Sequence, residues 1–205
     1  ADQFAKIRFD AVVFYILDKQ LEKALAIYRD LFAERPDPFF GLAVATLSDE
    51  LKDSKTRDAA LARIRTFGPT YVREDMDRPR KELVQLAAWI EGDLARGGKG
   101  QIDLQAVEKL LAPIRLSYEA AYTNLFLARY LQLHGKREEA IRCWKKSLVS
   151  NELPNFVRHL AGATLNDLGI KPEDYKELLA APAKADAKPS REVKKAAGKE
   201  PQKGG

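Results

Sequence analysis

Along most of the chain apolar residues recur three and four positions apart, the spacing of a helix with one buried face. In residues 4–17 they are Phe4, Ile7, Ala11, Phe14 and Leu17, and Phe9, Val12, Val13 and Ile16 add apolar character off that stripe. A helix that is apolar on more than one side is expected to be wedged between neighbours. Residues 21–34 repeat the pattern with Leu21, Ala24, Leu25, Tyr28, Leu31 and Phe32, and Pro36 and Pro38 stop it. Asp37-Pro38 supplies a cap and a first helical residue for a third helix, reaching to about Leu51. A fourth covers 56–67, with Ala60, Leu61, Ile64 and Phe67 on one face and Gly68-Pro69 as its stop.

Residues 69–80 lose this period and read as a helix extension or a linker. It returns over 81–96 with Leu83, Leu86, Ala87, Ile90 and Leu94, and Trp89 beside them. Further helices are expected over 104–115 behind Asp103, with a kink or an end at Pro113, and over 118–133 behind Ser117. Three more follow over 137–150, over 155–168 closed by Gly169, and over 173–179 after Pro172. No segment reads as a strand, so the expected class is all-α.

The clearest unit is 124–154, in which two helices meet at a turn, Gly135-Lys136. Its second helix carries Ala140 and Trp144 four apart, a small residue for close approach and a large one to fill the wedge below. Ala24 and Tyr28 repeat that spacing in the first hairpin, and Gly135 recurs as Gly169 at an interval of 34. A period near 34 is the one to test in a chain of short helices.

These residues resemble the tetratricopeptide repeat family. Residues 121–154 keep Ala128, Gly135, Ala140 and Trp144, with Pro154 two places late. Residues 5–38 keep Tyr15, Ala24, Tyr28 and Pro36 but have Lys19 where glycine is usual. Residues 155–188 keep only Gly162 and Gly169, and 39–115 match weakly through Ala60, Ile64 and Phe67. The resemblance implies a right-handed superhelix of antiparallel helical hairpins, a tetratricopeptide-like solenoid over 1–180 with an irregular break at 69–80. Another helical repeat and a compact helical fold stand as alternatives.

Composition limits the chemistry. The chain carries a net charge of +5, of which +4 lies in 181–205, where seven basic residues face three carboxylates. That stretch is rich in Ala, Lys and Pro and is expected to be a disordered tail. The basic balance is therefore a property of the tail. It holds no aromatic residue, so any nucleic-acid or polyanion contact would be to phosphates rather than to stacked bases. Cys143 has no cysteine to pair with and reads as inert, and His134 and His159 are the only histidines, too few for a zinc site. Gly97-Gly98-Lys99-Gly100 lacks the strand and the Lys-Ser/Thr ending of a phosphate loop. The acidic knot Glu74, Asp75 and Asp77 is interspersed with Arg73, Arg78 and Arg80 and reads as local ion pairing rather than a metal site. No cofactor, no metal and no catalytic set is expected. The absence of an initial Met and of a signal-peptide pattern leads to the expectation of a processed or trimmed chain. The cytoplasm is favoured on the single cysteine, with periplasm or secretion left open.

The function implied by the resemblance is a non-catalytic scaffold that binds a partner protein or peptide segment along the first helix of each hairpin. The candidate positions are Lys6 and Phe9 in the first unit, Tyr122, Leu125, Arg129 and Gln132 in the central unit, and Phe156 and His159 in the next. Tyr122, Leu125, Leu133 and Phe156 read more readily as packing residues, and Trp144 as core. The alternatives are a polyanion-associated protein acting through the tail and a non-catalytic subunit of an enzyme complex. The helix over 4–17 is a further candidate surface for a second copy or a larger complex.

Overall fold

A computed structural model describes residues 2–67, 72–73, 76–79, 81–100, 103–111, 118–148 and 155–176. At 2–7, 9, 10, 72, 73, 76–79, 104, 111, 118, 119, 155 and 156 it is the backbone that is described. The described chain is all-α apart from one small hairpin. Its helices are α1 (Asp2–Leu17), α2 (Leu21–Glu34), α3 (Pro38–Glu50), α4 (Ser54–Arg65), α5 (Lys81–Ala95), α6 (Leu104–Leu111), α7 (Tyr118–Leu133), α8 (Arg137–Ser147) and α9 (Asn155–Asp167).

Asp37 starts α3 as its sequence predicts, with Oδ1 accepting the Phe39 N–H at 2.8 Å and Pro38 in the first turn. Asp103 does the same for α6 through the Ala106 N–H at 3.0 Å. Five helix ends close in one manner. The N–H after a left-handed residue reaches back five positions, as in Gln20 to Tyr15, Asp53 to Ser48, Gly98 to Asp93, Lys136 to Leu131 and Ile170 to Leu165. The left-handed residues are Lys19, Lys52, Gly97, Gly135 and Gly169, so lysine stands at two places where glycine would be free of strain.

Two helices form the centre. From Pro38 to Asp49 every residue of α3 is buried, and so is every residue of α7 from Ala120 to Ala128. They pack side by side and run the same way: Phe39 meets Tyr122 and Phe126 at 6.2 and 6.4 Å between ring centres, and Glu50 meets Arg129 near the other end. Tyr28 of α2 sits edge-on to Phe126 at 5.4 Å. Gly41 lets α3 press on its neighbours, since a Cβ there would stand 2.6 Å from Ile64 Cγ1 and 2.9 Å from Phe32 Cζ.

Around this pair the helices pack mostly on their sequence neighbours: α1 on α2, α2 on α3, α3 on α4, α4 on α5, α7 on α8 and α8 on α9. The architecture is a multi-helix bundle of the generic helical-repeat kind. Two pairings depart from a one-dimensional stack, α3 on α7 and α1 on α9. A repeat that touches only the next repeat would leave these apart.

Several expectations change. The buried face of α1 is Val12, Val13 and Ile16, whereas Phe14 and Leu17 of the expected stripe are 54% and 37% exposed. Both faces are apolar, and contact with α2 and α9 decides which one is covered. Within 69–80 the described residues form two antiparallel strands, β1 (Val72–Arg73) and β2 (Met76–Pro79), paired Val72 to Pro79 and Arg73 to Met76. A 3₁₀ turn, Pro172–Asp174, stands where a helix over 173–179 was expected to begin. Residues 177–179 of that expected helix, the continuation of α6 to 115, the Ser117 cap and the 181–205 tail lie outside the described residues.

Candidate functional site

The C-terminal ends of α3 and α7 bring several charged and polar groups together. Asp49 and Glu50 close α3, an unfavourable place for carboxylates because the helix end already carries partial negative charge. Both are held by cations or donors from elsewhere. Arg129 of α7 grips Glu50 with Nη2 2.8 Å from each oxygen and Nε 3.1 Å from Oε2. Arg57 of α4 reaches Asp49 Oδ1 at 2.7 Å, and His134 Nε2 lies 2.8 Å from Oδ2. The carboxylate only accepts, so Nε2 carries the proton in this contact.

One layer away, Asp93 of α5 is fully buried. It accepts from Tyr130 Oη at 2.7 Å, Lys136 Nζ at 2.5 Å and the Gly100 N–H at 2.9 Å. Burial alone would raise its carboxyl, but the bonds from Lys136 and Tyr130 outweigh that and hold it below the usual range. Burial, followed by the bond to Asp93, pushes the Tyr130 phenol upward, so it remains a donor. The Lys136 ammonium also lies 5.6 Å from the Trp89 ring centre. These contacts pin the α7–α8 turn to α5.

His134, Asp49, Tyr130, Asp93 and Lys136 thus hold one another. Among the described residues no hydroxyl or thiol is hydrogen-bonded to His134. Cys143 lies on α8, its thiol pushed up to about 12 by burial. Among the described residues no three His, Cys, Asp or Glu could hold a metal ion, and no helix is long and apolar enough to cross a membrane.

Beside the Arg129–Glu50 pair a groove of about 630 Å³ opens. The α1–α2 turn contributes Leu17, Lys19 and Leu21 to one wall, and α7 contributes Arg129, Gln132 and Leu133 to another. Trp144 and Leu160 are buried at its base, and α9 adds Thr164 and Asp167. Leu133 is 45% exposed, so the groove presents leucines from two different elements to solvent. Trp144 Nε1 donates to Gln132 Oε1 at 3.2 Å, which orients the glutamine along the wall.

The candidate residues separate on this geometry. Arg129 and Gln132 line the groove. His159 is exposed on α9 but is not among the lining residues. Tyr122 and Leu125 are core residues, 1% and 0% exposed, because α7 is enclosed along that stretch. Lys6 and Phe9 lie on α1, and Phe156 on α9, with side chains outside the described residues. Glu50, Leu17, Lys19 and Asp167 were not anticipated. Each belongs to an element far along the chain from α7 or at a turn, and helical periodicity carries no signal for such meetings. Comparison of the chain with protein-family models, with curated proteins and with solved structures finds no match.

Proposed function

We propose that this chain is a non-catalytic helical scaffold that receives a segment of a partner protein in the groove between the α1–α2 turn, α7 and α9. The observation that carries this reading is the pairing of solvent-facing Leu17 and Leu133 with a polar wall of Arg129 and Gln132. A concave site with apolar anchors and a few fixed polar groups is the form that peptide grooves take. Its volume, about 630 Å³, is enough for two or three side chains. The tetratricopeptide resemblance supports the same face, since α7 is the first helix of the clearest hairpin. We extend the reading to a superhelical groove of that family only as far as this hairpin. The exposed Phe14 on α1 makes that helix the surface we assign to assembly with a second copy or a larger complex.

The test is selection of peptides from a random library on the immobilised chain, followed by backbone amide shift mapping. The selected peptides are expected to move Leu17, Gln132, Leu133 and Thr164, and to lose at least about tenfold in affinity against Leu17→Glu/Leu133→Glu. Deleting 181–205 should leave that affinity unchanged. Shifts that map elsewhere, or binding that disappears with the tail and falls steeply with salt, would replace the groove by a polyanion-binding tail.

A further inference from the structure

A second cavity, of about 480 Å³, opens between α2 and α4 and shares no lining residue with the first. Its base is apolar, formed by Phe32, Val44 and Ala60. Its rim is cationic: Arg29 comes from α2, and Lys55 and Arg63 come from α4. All three are exposed. The Arg63 guanidinium lies over Phe32, 4.6 Å from the ring centre.

Three acids of the same helices that are not in the lining are engaged elsewhere. Asp30 and Glu34 turn to Arg8, and Asp58 to Arg57. Asp53 is the single carboxylate in the lining, and it serves as the α4 cap, accepting the Thr56 N–H at 3.0 Å. Arg29, Lys55 and Arg63 make no ion pair among the described residues. Three cations against one committed carboxylate leave the groove electropositive over an apolar floor.

Spacing selects among anionic partners. Lys55 and Arg63 are eight residues apart on α4, about 12 Å at the rise of an α-helix. Arg29 shares the lining with Lys55 and with Asp53, which its field and that of Lys55 both reach. With Arg63 held over Phe32, the cations stand at two ends of the groove and suit charges spread along a segment better than one compact anion. An extended chain advances about 3.3 Å per residue, so carboxylates four residues apart span about 13 Å, and the residue midway faces the same side. We propose that the α2–α4 groove docks an extended acidic segment of a partner protein, with the pattern acid-x-apolar-x-acid. The first acid meets Arg29 and Lys55, the apolar side chain covers Phe32 and Ala60, and the last acid meets Arg63.

The test uses the full chain and a fluorescein-labelled peptide, Ser-Glu-Thr-Phe-Thr-Glu-Ser, read by anisotropy at low salt. Saturable binding below about 1 mM is expected. It should weaken at least about tenfold on Arg29→Glu and on Lys55→Glu, both exposed positions whose replacement leaves the core intact. Leu17→Glu/Leu133→Glu should leave it unchanged, which separates this groove from the first. A peptide with Gln for both Glu, and one with the two Glu adjacent, should each bind at least about tenfold more weakly. No binding at about 1 mM, or equal binding of the adjacent-Glu peptide, overturns the proposal. So does a single-stranded oligonucleotide that competes at equal affinity, since the site would then be a general polyanion patch.

Discussion

Replacing Asp93 by alanine tests whether the polar layer holds the α7–α8 turn in place. The change removes the acceptor of three donors, Tyr130 Oη, Lys136 Nζ and the Gly100 N–H. Asp93 is 0% exposed and the Lys136 side chain 11%, so the ammonium left behind has little access to water. Removing one member of a buried pair costs about 3–5 kcal/mol, and the residual exposure of Lys136 favours the lower half of that range. Lys136→Met should cost less, because Tyr130 and Gly100 still bond the carboxylate. The double variant leaves neither charge unpaired and should fall short of the summed single losses by at least about 1 kcal/mol. Urea unfolding followed by circular dichroism measures all three. The pH dependence gives an independent check. A carboxyl held low in the fold contributes stability that is complete above its unfolded value of about 3.9 and is lost as pH falls through the folded value. The gap between the parent and Asp93→Asn should therefore be constant near neutrality and narrow below about pH 4. Strictly additive losses, together with a gap that does not change down to about pH 3, would refute the account.

Two further outcomes follow from local geometry. Gly98 and Gly135 both have positive φ, 72° and 75°, but a Cβ at Gly98 would run into the His134 ring while one at Gly135 meets nothing within 4 Å. Gly135→Ala should cost about 1 kcal/mol from backbone strain alone and Gly98→Ala at least about 1 kcal/mol more, as read by thermal unfolding. Cys143 is 3% exposed with its thiol raised to about 12, so an aromatic disulfide reagent at pH 8 should modify it at least about a hundredfold more slowly in the native chain than in urea. Equal rates would place Cys143 at an open surface. The same raised value means stability should decline as pH rises above about 8.5, where the unfolded thiol ionises and the folded one does not.

Local patterns were legible where a single element decides the outcome. Ala24, Tyr28, Ala140 and Trp144 are buried as their spacing implies, and Asp37 and Asp103 cap where their sequences place them. What could not be read depends on meetings between distant elements. The face of α1 is set by α2 and α9, since Phe14 and Val13 are equally apolar in sequence. Tyr122 and Leu125 became core because α7 is central, which nothing in its own period states. The β1–β2 hairpin escaped because Met76–Pro79 has neither alternation nor β-branched residues. Of the first groove, Arg129 and Gln132 were named, but Glu50 is 79 positions from Arg129 and carries no local mark of the pairing.

The distribution of groups along α3 and α7 bears on what each groove can bind. At their N-terminal ends the contact is aromatic, through Phe39, Tyr122 and Phe126, an apolar packing without charge pairing. At their C-terminal ends Arg129–Glu50 and His134–Asp49 each require one offset, so these pairs fix the register. The Arg129–Glu50 pair and the Trp144–Gln132 bond fix the polar wall of the first groove before any partner arrives. Arg129 is bidentate to Glu50, and Gln132 is held by Trp144. A partner carboxylate offered to Arg129 would have to displace Glu50, leaving that carboxylate partly buried at a helix end. The first groove therefore favours an apolar segment that leaves the ion pair intact. Arg29, Lys55 and Arg63 in the second groove make no ion pair among the described residues, and the one carboxylate in that lining, Asp53, caps α4. Exchanging the peptides between grooves should fail in both directions: an acidic peptide should not move Leu133, and an apolar one should not respond to Lys55→Glu.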